Sequence, residues 1–194
     1  MYDAEDLYKP MLGQWSRHTG NDASYVMSGG VWIGVRDLIN ADTSVLECGC
    51  GVSTWLIQTR QPARHVALEC SPHYWRQCVS SPYIQNAEVL LCELAAPVAA
   101  EASPWYAWTP DMSYDVVLID GPAGDIGRDG VIEHIHALTH DGSVIIVDDT
   151  QRADELTLAG RIAIGFNTSA HRVTLDDTSN GIRKKFSIIE RGTA

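Results

Sequence analysis

Five short apolar runs recur after residue 40, each separated from the next by a stretch with helical character: Ser44–Cys48, His65–Cys70, Glu88–Cys92, Asp115–Asp120 and Ser143–Asp148. Such near-continuous aliphatic runs suit strands buried on both faces, and strands alternating with helices are joined by crossovers into a parallel sheet. Ser71-Pro72 has the character of an N-cap followed by a first helical residue, and Val131, Ile135 and Leu138 fall on one face at i, i+4 and i+7. Val31, Val35, Leu38 and Ile39 make a further helical face before the first run. The tail changes rhythm: His171–Asp176 and Ile182–Glu190 are strand-like and flank Thr178-Ser179-Asn180-Gly181, whose Asn-Gly pair favours a tight hairpin. The pattern predicts an α/β, doubly wound, mostly parallel seven-stranded sheet with a C-terminal antiparallel hairpin. One domain is expected, with residues 1–42 as a helical or lid segment and 43–194 as the core; the Ala- and Pro-rich residues 95–113 are expected to form a short helix plus loop.

Charge narrows the partners. Fourteen Lys and Arg against 25 Asp and Glu give a net charge of −11, which repels a phosphate backbone and disfavours nucleic acid. Arg183, Lys184 and Lys185, the one tight basic cluster, read as a solvated strand face. No apolar run approaches the roughly 20 residues of a membrane span. Met1–Asp6 is acidic rather than basic-then-apolar, so a cytoplasmic protein without membrane partners is expected. The five cysteines, Cys48, Cys50, Cys70, Cys78 and Cys92, show no CxxC pairing and are read as free thiols. Nothing in the sequence sets an oligomeric state.

The chemistry-bearing segment is Glu47-Cys48-Gly49-Cys50-Gly51-Val52-Ser53-Thr54, which leaves the first strand through a glycine turn and enters a helix. Glycines there let a ligand approach the backbone, and the helix start favours an anion. Glu69 ends the second strand, where a carboxylate can accept hydrogen bonds from ribose hydroxyls. Thr54 stands where the dinucleotide fingerprint GxGxxG needs a third small residue, which disfavours NAD.

The stretch resembles motif I of the class I S-adenosylmethionine-dependent methyltransferases, acidic-x-G-x-G-x-(G/S), with Glu47, Gly49, Gly51 and Ser53 in place. That resemblance implies S-adenosylmethionine as cofactor. Its contacts would come from Glu47, Gly49, Cys50, Gly51, Ser53 and Thr54, from Glu69 and Cys70 after the second strand, from Glu93 after the third, and from Asp120 after the fourth. Asp120-Gly121-Pro122 with Arg128, and Asp148-Asp149-Thr150-Gln151-Arg152, are similar to a bacterial group of these enzymes.

The expected reaction is methylation of a small-molecule acceptor at oxygen, with Asp120, aided by Asp148, as base, its pKa raised by the like-charge neighbour. Arg128, Arg152 and His18 are the substrate candidates, with Trp15 and Tyr25 beside His18 on a segment folded across the crevice. Trp105, Tyr106 and Trp108 precede the fourth strand and are expected at its amino edge, in packing roles. His65, His73, His134, His136, His140 and His171 have no stronger claim to a role.

Asp120, Asp148 and Asp149 could instead hold a divalent cation, as in the catechol O-methyltransferase type, although that family has Asp-Asn where this chain has Asp148-Asp149, and Gly121-Pro122 also departs from it. Two other classes stay open. One is an aminopropyl transferase of the spermidine-synthase type, whose additional N-terminal β domain has no counterpart in the roughly forty residues before the first strand. The other is a nucleotide-binding module without turnover.

Overall fold

The computed structural model describes residues 4–20, 29–174 and 185–192. Two helices, α1 (Ala4–Thr19) and α2 (Gly29–Val35), come first. They are followed by β1 (Ser44–Cys48), α3 (Val52–Gln58), β2 (Arg64–Glu69), α4 (Pro72–Val79), β3 (Glu88–Leu91), the two-residue strands β4 (Leu94–Ala95) and β5 (Trp105–Tyr106), and β6 (Tyr114–Ile119). The chain ends with α5 (Ile135–Leu138), β7 (Thr139–Val147), α6 (Ala153–Gly165), β8 (Ala170–Thr174) and β9 (Lys185–Glu190).

Seven strands form one sheet in the order β3-β2-β1-β6-β7-β9-β8. The ladders from β3 to β7 are parallel, and β9 runs antiparallel to both β7 and β8. The expected sheet is therefore the observed one; the Thr178–Gly181 turn lies outside the described residues.

Period-two alternation gives the sheet two apolar faces. Leu46, Cys48, Leu68, Ile119 and Val147 pack against Leu138 of α5 and Leu158 and Ile162 of α6. Val45, Leu118, Ile146 and Phe186 face the other way, against Trp15 of α1, Val35 of α2, Leu56 of α3 and Cys78 of α4. Phe186 is fully buried, a contribution of about 1.5–3 kcal/mol from its apolar surface. An added Cβ on Gly34 would lie 2.7 Å from its ring, so α2 approaches as closely as it does because residue 34 has no side chain. Ser71 caps α4, accepting a hydrogen bond from the Tyr74 N–H, with Pro72 at the first helical position.

Two expectations fail locally. No helix forms within 95–113: Pro97 and Pro104 obstruct one, and the aromatic pair Trp105–Tyr106 joins a ladder with Leu94 and Ala95 instead. The helix expected through Val131, Ile135 and Leu138 is split into a 3-10 turn over Asp129–Glu133 and a single α-helical turn, because β7 begins at Thr139, already paired with Tyr114. All three apolar side chains are nevertheless buried. No helix among the described residues is long and apolar enough to cross a membrane.

Candidate functional site

The registers bring four chemically active positions level. Cys48 pairs with Leu68 and with Ile119, and Ile119 pairs with Val147. The residues that follow, Glu69, Gly49, Asp120 and Asp148, therefore share one rung at the carboxyl edge. The ladder continues into it, with Gly49 N–H donating to Leu68 O at 2.8 Å, Asp120 N–H to Cys48 O at 3.0 Å and Asp148 N–H to Ile119 O at 3.0 Å. Strand order reverses between β1 and β6, and a doubly wound sheet opens its ligand crevice at that switch point.

At the switch point two backbones touch. Gly49 has φ +92°, in the left-handed region, and a Cβ added to Gly121 would come within 2.9 Å of the Gly49 N and Cα. Side chains at either position would drive the loops apart. A Cβ added to Gly51 would meet nothing within 4 Å, so the loop faces open space there. Glu69 fixes the rim: its Oε2 accepts from the Cys50 N–H at 3.2 Å and its Oε1 from the Ser71 N–H at 2.7 Å. Each carboxylate oxygen retains acceptor capacity for a ligand hydroxyl.

Beneath the loop, Glu47 and His65 form a fully buried pair, with His65 Nε2 3.1 Å from Glu47 Oε2. The network fixes the imidazole tautomer. Gln58 Oε1 accepts from the Asn86 N–H at 3.0 Å, so its amide nitrogen donates to His65 Nδ1 at 2.9 Å, and the remaining ring N–H points at Glu47. Sequence inspection gave no reason to single out His65, because the pair lies across two strands. Glu47 Oε1 and Tyr106 Oη are buried without a hydrogen-bond partner among the described residues.

The acidic end is built around Arg128. Carboxylate oxygens of Asp120, Asp148 and Asp149 lie within 4.8 Å of one another, an arrangement that can hold a metal ion. A guanidinium is already there: Arg128 Nη2 donates to Asp120 Oδ1 at 3.2 Å and to Asp149 Oδ2 at 3.3 Å, Nη1 to Asp148 O at 3.2 Å and Nε to Pro122 O at 3.1 Å. Burial works against the Arg128 charge, but Asp120, Asp149, Asp148 and Glu155 outweigh it and raise its pKa. Arg152 adds a second cation, 2.8 Å from Asp149 Oδ2. Asp149 takes φ +61°, a strained conformation that aspartate tolerates better than most residues, and its N–H donates to Asp148 Oδ1 at 2.7 Å.

This geometry corrects several expectations. Arg128 is not a free substrate contact, since its side chain is 4% exposed and its donors are engaged by the loops. Asp120 meets a cation as well as like charges: Arg128 Nη2 lies 3.2 Å from its Oδ1, and carboxylate oxygens of Asp148 and Asp149 lie within 4.8 Å. Asp148 is 1% exposed and serves the turn through its own carboxylate. Ser53 and Thr54 are buried, and Thr54 Oγ1 accepts from the Gly51 N–H at 3.0 Å, which shapes the loop.

The remaining candidates scatter. Cys50 lies half-buried in the loop, its thiol pKa pushed far up by a hydrogen bond with Cys78 and by burial. The Cys70 thiol is pushed up to about 11 by burial and by Glu69. Both belong with the free cysteines. Glu93 is exposed just past β3, and Arg152 is exposed at the start of α6. His18 is exposed on the last turn of α1, but that helix packs on α2 and α3 with Trp15 buried in the core. Tyr25 lies outside the described residues. Tyr106 was expected at the amino edge; instead the β4–β5 ladder returns it to the carboxyl edge, where its hydroxyl abuts Gly121.

No family model matches the chain, and no curated protein does. Solved structures match it well. A methyltransferase from Pyrococcus furiosus aligns with TM-score 0.59 at 12% identity, over 84% of this chain and 82% of that one. The N-methyltransferase NodS from Bradyrhizobium japonicum WM9, solved in complex with S-adenosyl-L-homocysteine, aligns with TM-score 0.57 at 11% identity, over 94% of this chain and 99% of that one. The chain has the class I methyltransferase fold. It matches the M. jannaschii tRNA m1G37 methyltransferase with TM-score 0.55 at 10% identity, covering 90% of this chain but 54% of that longer enzyme. In this fold the crevice between β1 and β6, where Gly49 meets Gly121, opens at the carboxyl edge of the sheet.

Proposed function

We propose that the chain is a methyltransferase that binds S-adenosylmethionine along the Gly49–Glu69 edge and methylates a hydroxyl group of a small molecule. The observation that carries this reading is Glu69, whose carboxylate ties the glycine loop to the end of β2 beside the open space at Gly51. The residues suit such a ligand: acceptor capacity remains on Glu69 and Glu47 for hydroxyl and ammonium groups, and the glycines leave room for its backbone approach.

When bound, S-adenosylmethionine supplies the electrophilic methyl group. The protein's work is alignment and exclusion of water. Asp120 is the most exposed carboxylate of the acidic cluster, at 24% of its side chain against 9% for Asp149, which supports it as the group that takes the acceptor's hydroxyl proton. Asp148 and Arg128 act through it, holding the loops after β6 and β7 in register.

Calorimetry tests the cofactor half: S-adenosylhomocysteine should bind, NAD should not, and Glu69→Gln should weaken binding about tenfold by removing a charged acceptor. NAD binding without any response to S-adenosylmethionine or its product would overturn the reading. The acceptor half is tested by transfer of labelled methyl groups to phenol and sugar panels against tRNA and rRNA. A net charge of −11 supports the small molecule, and labelling of RNA alone would replace it.

A further inference from the structure

Tyr106 holds a buried hydroxyl that the described residues leave without a partner. The residue is 2% exposed, and its Oη has no hydrogen-bond partner among the described residues. The hydroxyl fits because residue 121 is glycine: a Cβ there would lie 2.5 Å from Oη. It thus sits against the contact between the Gly49 and Gly121 loops. Burial, with the nearby Cys48, Glu69, Cys70 and Cys50, pushes the phenol pKa well above its ordinary value, so the group keeps its proton and is a donor. All four of those residues lie at or just past the ends of β1 and β2, the edge that Glu69 closes, and the hydroxyl itself sits where Gly49 meets Gly121.

A buried hydroxyl without a partner destabilises the ligand-free chain, and phenylalanine at this position would avoid that cost. A bound state that supplies an acceptor reverses the balance. We propose that the Tyr106 hydroxyl donates a hydrogen bond to the nucleoside portion of the bound cofactor, making Tyr106 a cofactor-binding residue. The inference rests on the S-adenosylmethionine reading above and adds to it a contact that lies outside the glycine motif.

Tyr106→Phe separates this role from packing because the two effects have opposite signs. Removing the hydroxyl should leave the ligand-free melting temperature unchanged or raise it, while affinities for S-adenosylhomocysteine and for adenosine both fall about tenfold in calorimetry. Tyr114→Phe, at the start of β6 on the opposite edge of the sheet, is the control and should leave both affinities unchanged. Unaltered affinity in Tyr106→Phe overturns the inference alone, as does weakened binding of S-adenosylhomocysteine with adenosine unaffected. A lowered ligand-free melting temperature also overturns it, by showing that the hydroxyl already has a partner. Failure of the unsubstituted protein to bind S-adenosylhomocysteine overturns the functional reading, and this inference with it.

Discussion

Arg128 Nη2 lies 3.2 Å from Asp120 Oδ1, and the same nitrogen reaches Asp149, so one buried guanidinium clasps the loops that leave β6 and β7. Its Nε and Nη1 hold the Pro122 and Asp148 carbonyls, which makes the contact a two-loop clamp rather than an isolated ion pair. The carboxylates it holds are those that could otherwise share a metal ion.

Removing that cation should be expensive in stability. Arg128→Met leaves three mutually close carboxylates without their central positive charge and should destabilise the fold by about 3–5 kcal/mol, read from urea unfolding. Arg128→Lys should recover only part of this, because an ammonium cannot reproduce the planar fork. Methyl transfer should be insensitive to chelators, and loss of activity restored by magnesium would show that a metal ion shares the cluster after all.

The loop contact makes its own prediction. Gly121→Ala places a Cβ 2.5 Å from Tyr106 Oη and 2.9 Å from the Gly49 backbone, and neither Gly49 atom can swing aside as a flexible side chain would. The loops must separate, at an overpacking cost of about 1–3 kcal/mol. Binding of S-adenosylhomocysteine should be lost along with that stability, measured by calorimetry beside thermal unfolding. A variant with normal affinity would mean that the crevice tolerates the displacement.

The sheet was legible because its signals are local: β1, β2, β3, β6 and β7 are apolar runs long enough to be recognised without their neighbours. The glycine loop and Glu69 were legible for the same reason, as fixed offsets from strand ends. What the sequence concealed depends on pairing across distance. Tyr106 precedes β6 and looked remote from the carboxyl edge until the short ladder with Leu94 carried it back. Arg128 was read as a substrate contact, and only the convergence of Pro122, Asp148, Asp120 and Asp149 around it shows how its charge is held in a buried position. His65 gained its partner Glu47 from the register between β1 and β2, which no periodicity within either strand specifies.

Acid should find a weak point at the opposite edge of the sheet. Asp115 Oδ2 accepts from the Ser44 hydroxyl at 2.6 Å and the Ser44 N–H at 2.7 Å, joining the starts of β1 and β6. Burial opposes its charge, but the Ser44 bonds and His140 outweigh that and lower its pKa below 3.8. A carboxylate depressed on folding stabilises the protein above its unfolded value and ceases to do so as pH falls through the folded one. The stability difference between the unsubstituted protein and Asp115→Asn should therefore be full at neutral pH, begin to shrink near pH 3.8 and disappear once the pH has fallen through the lower folded value. A difference that persists undiminished at pH 2 would assign the effect to packing.

The division of labour between Asp120 and the glycine loop is open to kinetic test. Asp120→Asn preserves shape and one acceptor for Arg128, so the clamp and the fold should survive, whereas the charge that would accept an acceptor's proton is gone. If Asp120 is the base, turnover should fall by about 10²–10⁴-fold with cofactor affinity nearly unchanged. Glu69→Gln should show the converse, a weaker cofactor complex whose turnover at saturation is close to normal. Arg128 sharpens the comparison, because its guanidinium stabilises the Asp120 carboxylate electrostatically and holds it in place. Arg128→Lys should therefore reduce turnover through misplacement of Asp120, shifting the pH profile of the reaction, and Asp120→Asn should remove that pH dependence altogether. Equal turnover in Asp120→Asn and the unsubstituted enzyme would leave Asp120 as a partner of the clamp and move the base elsewhere in the crevice.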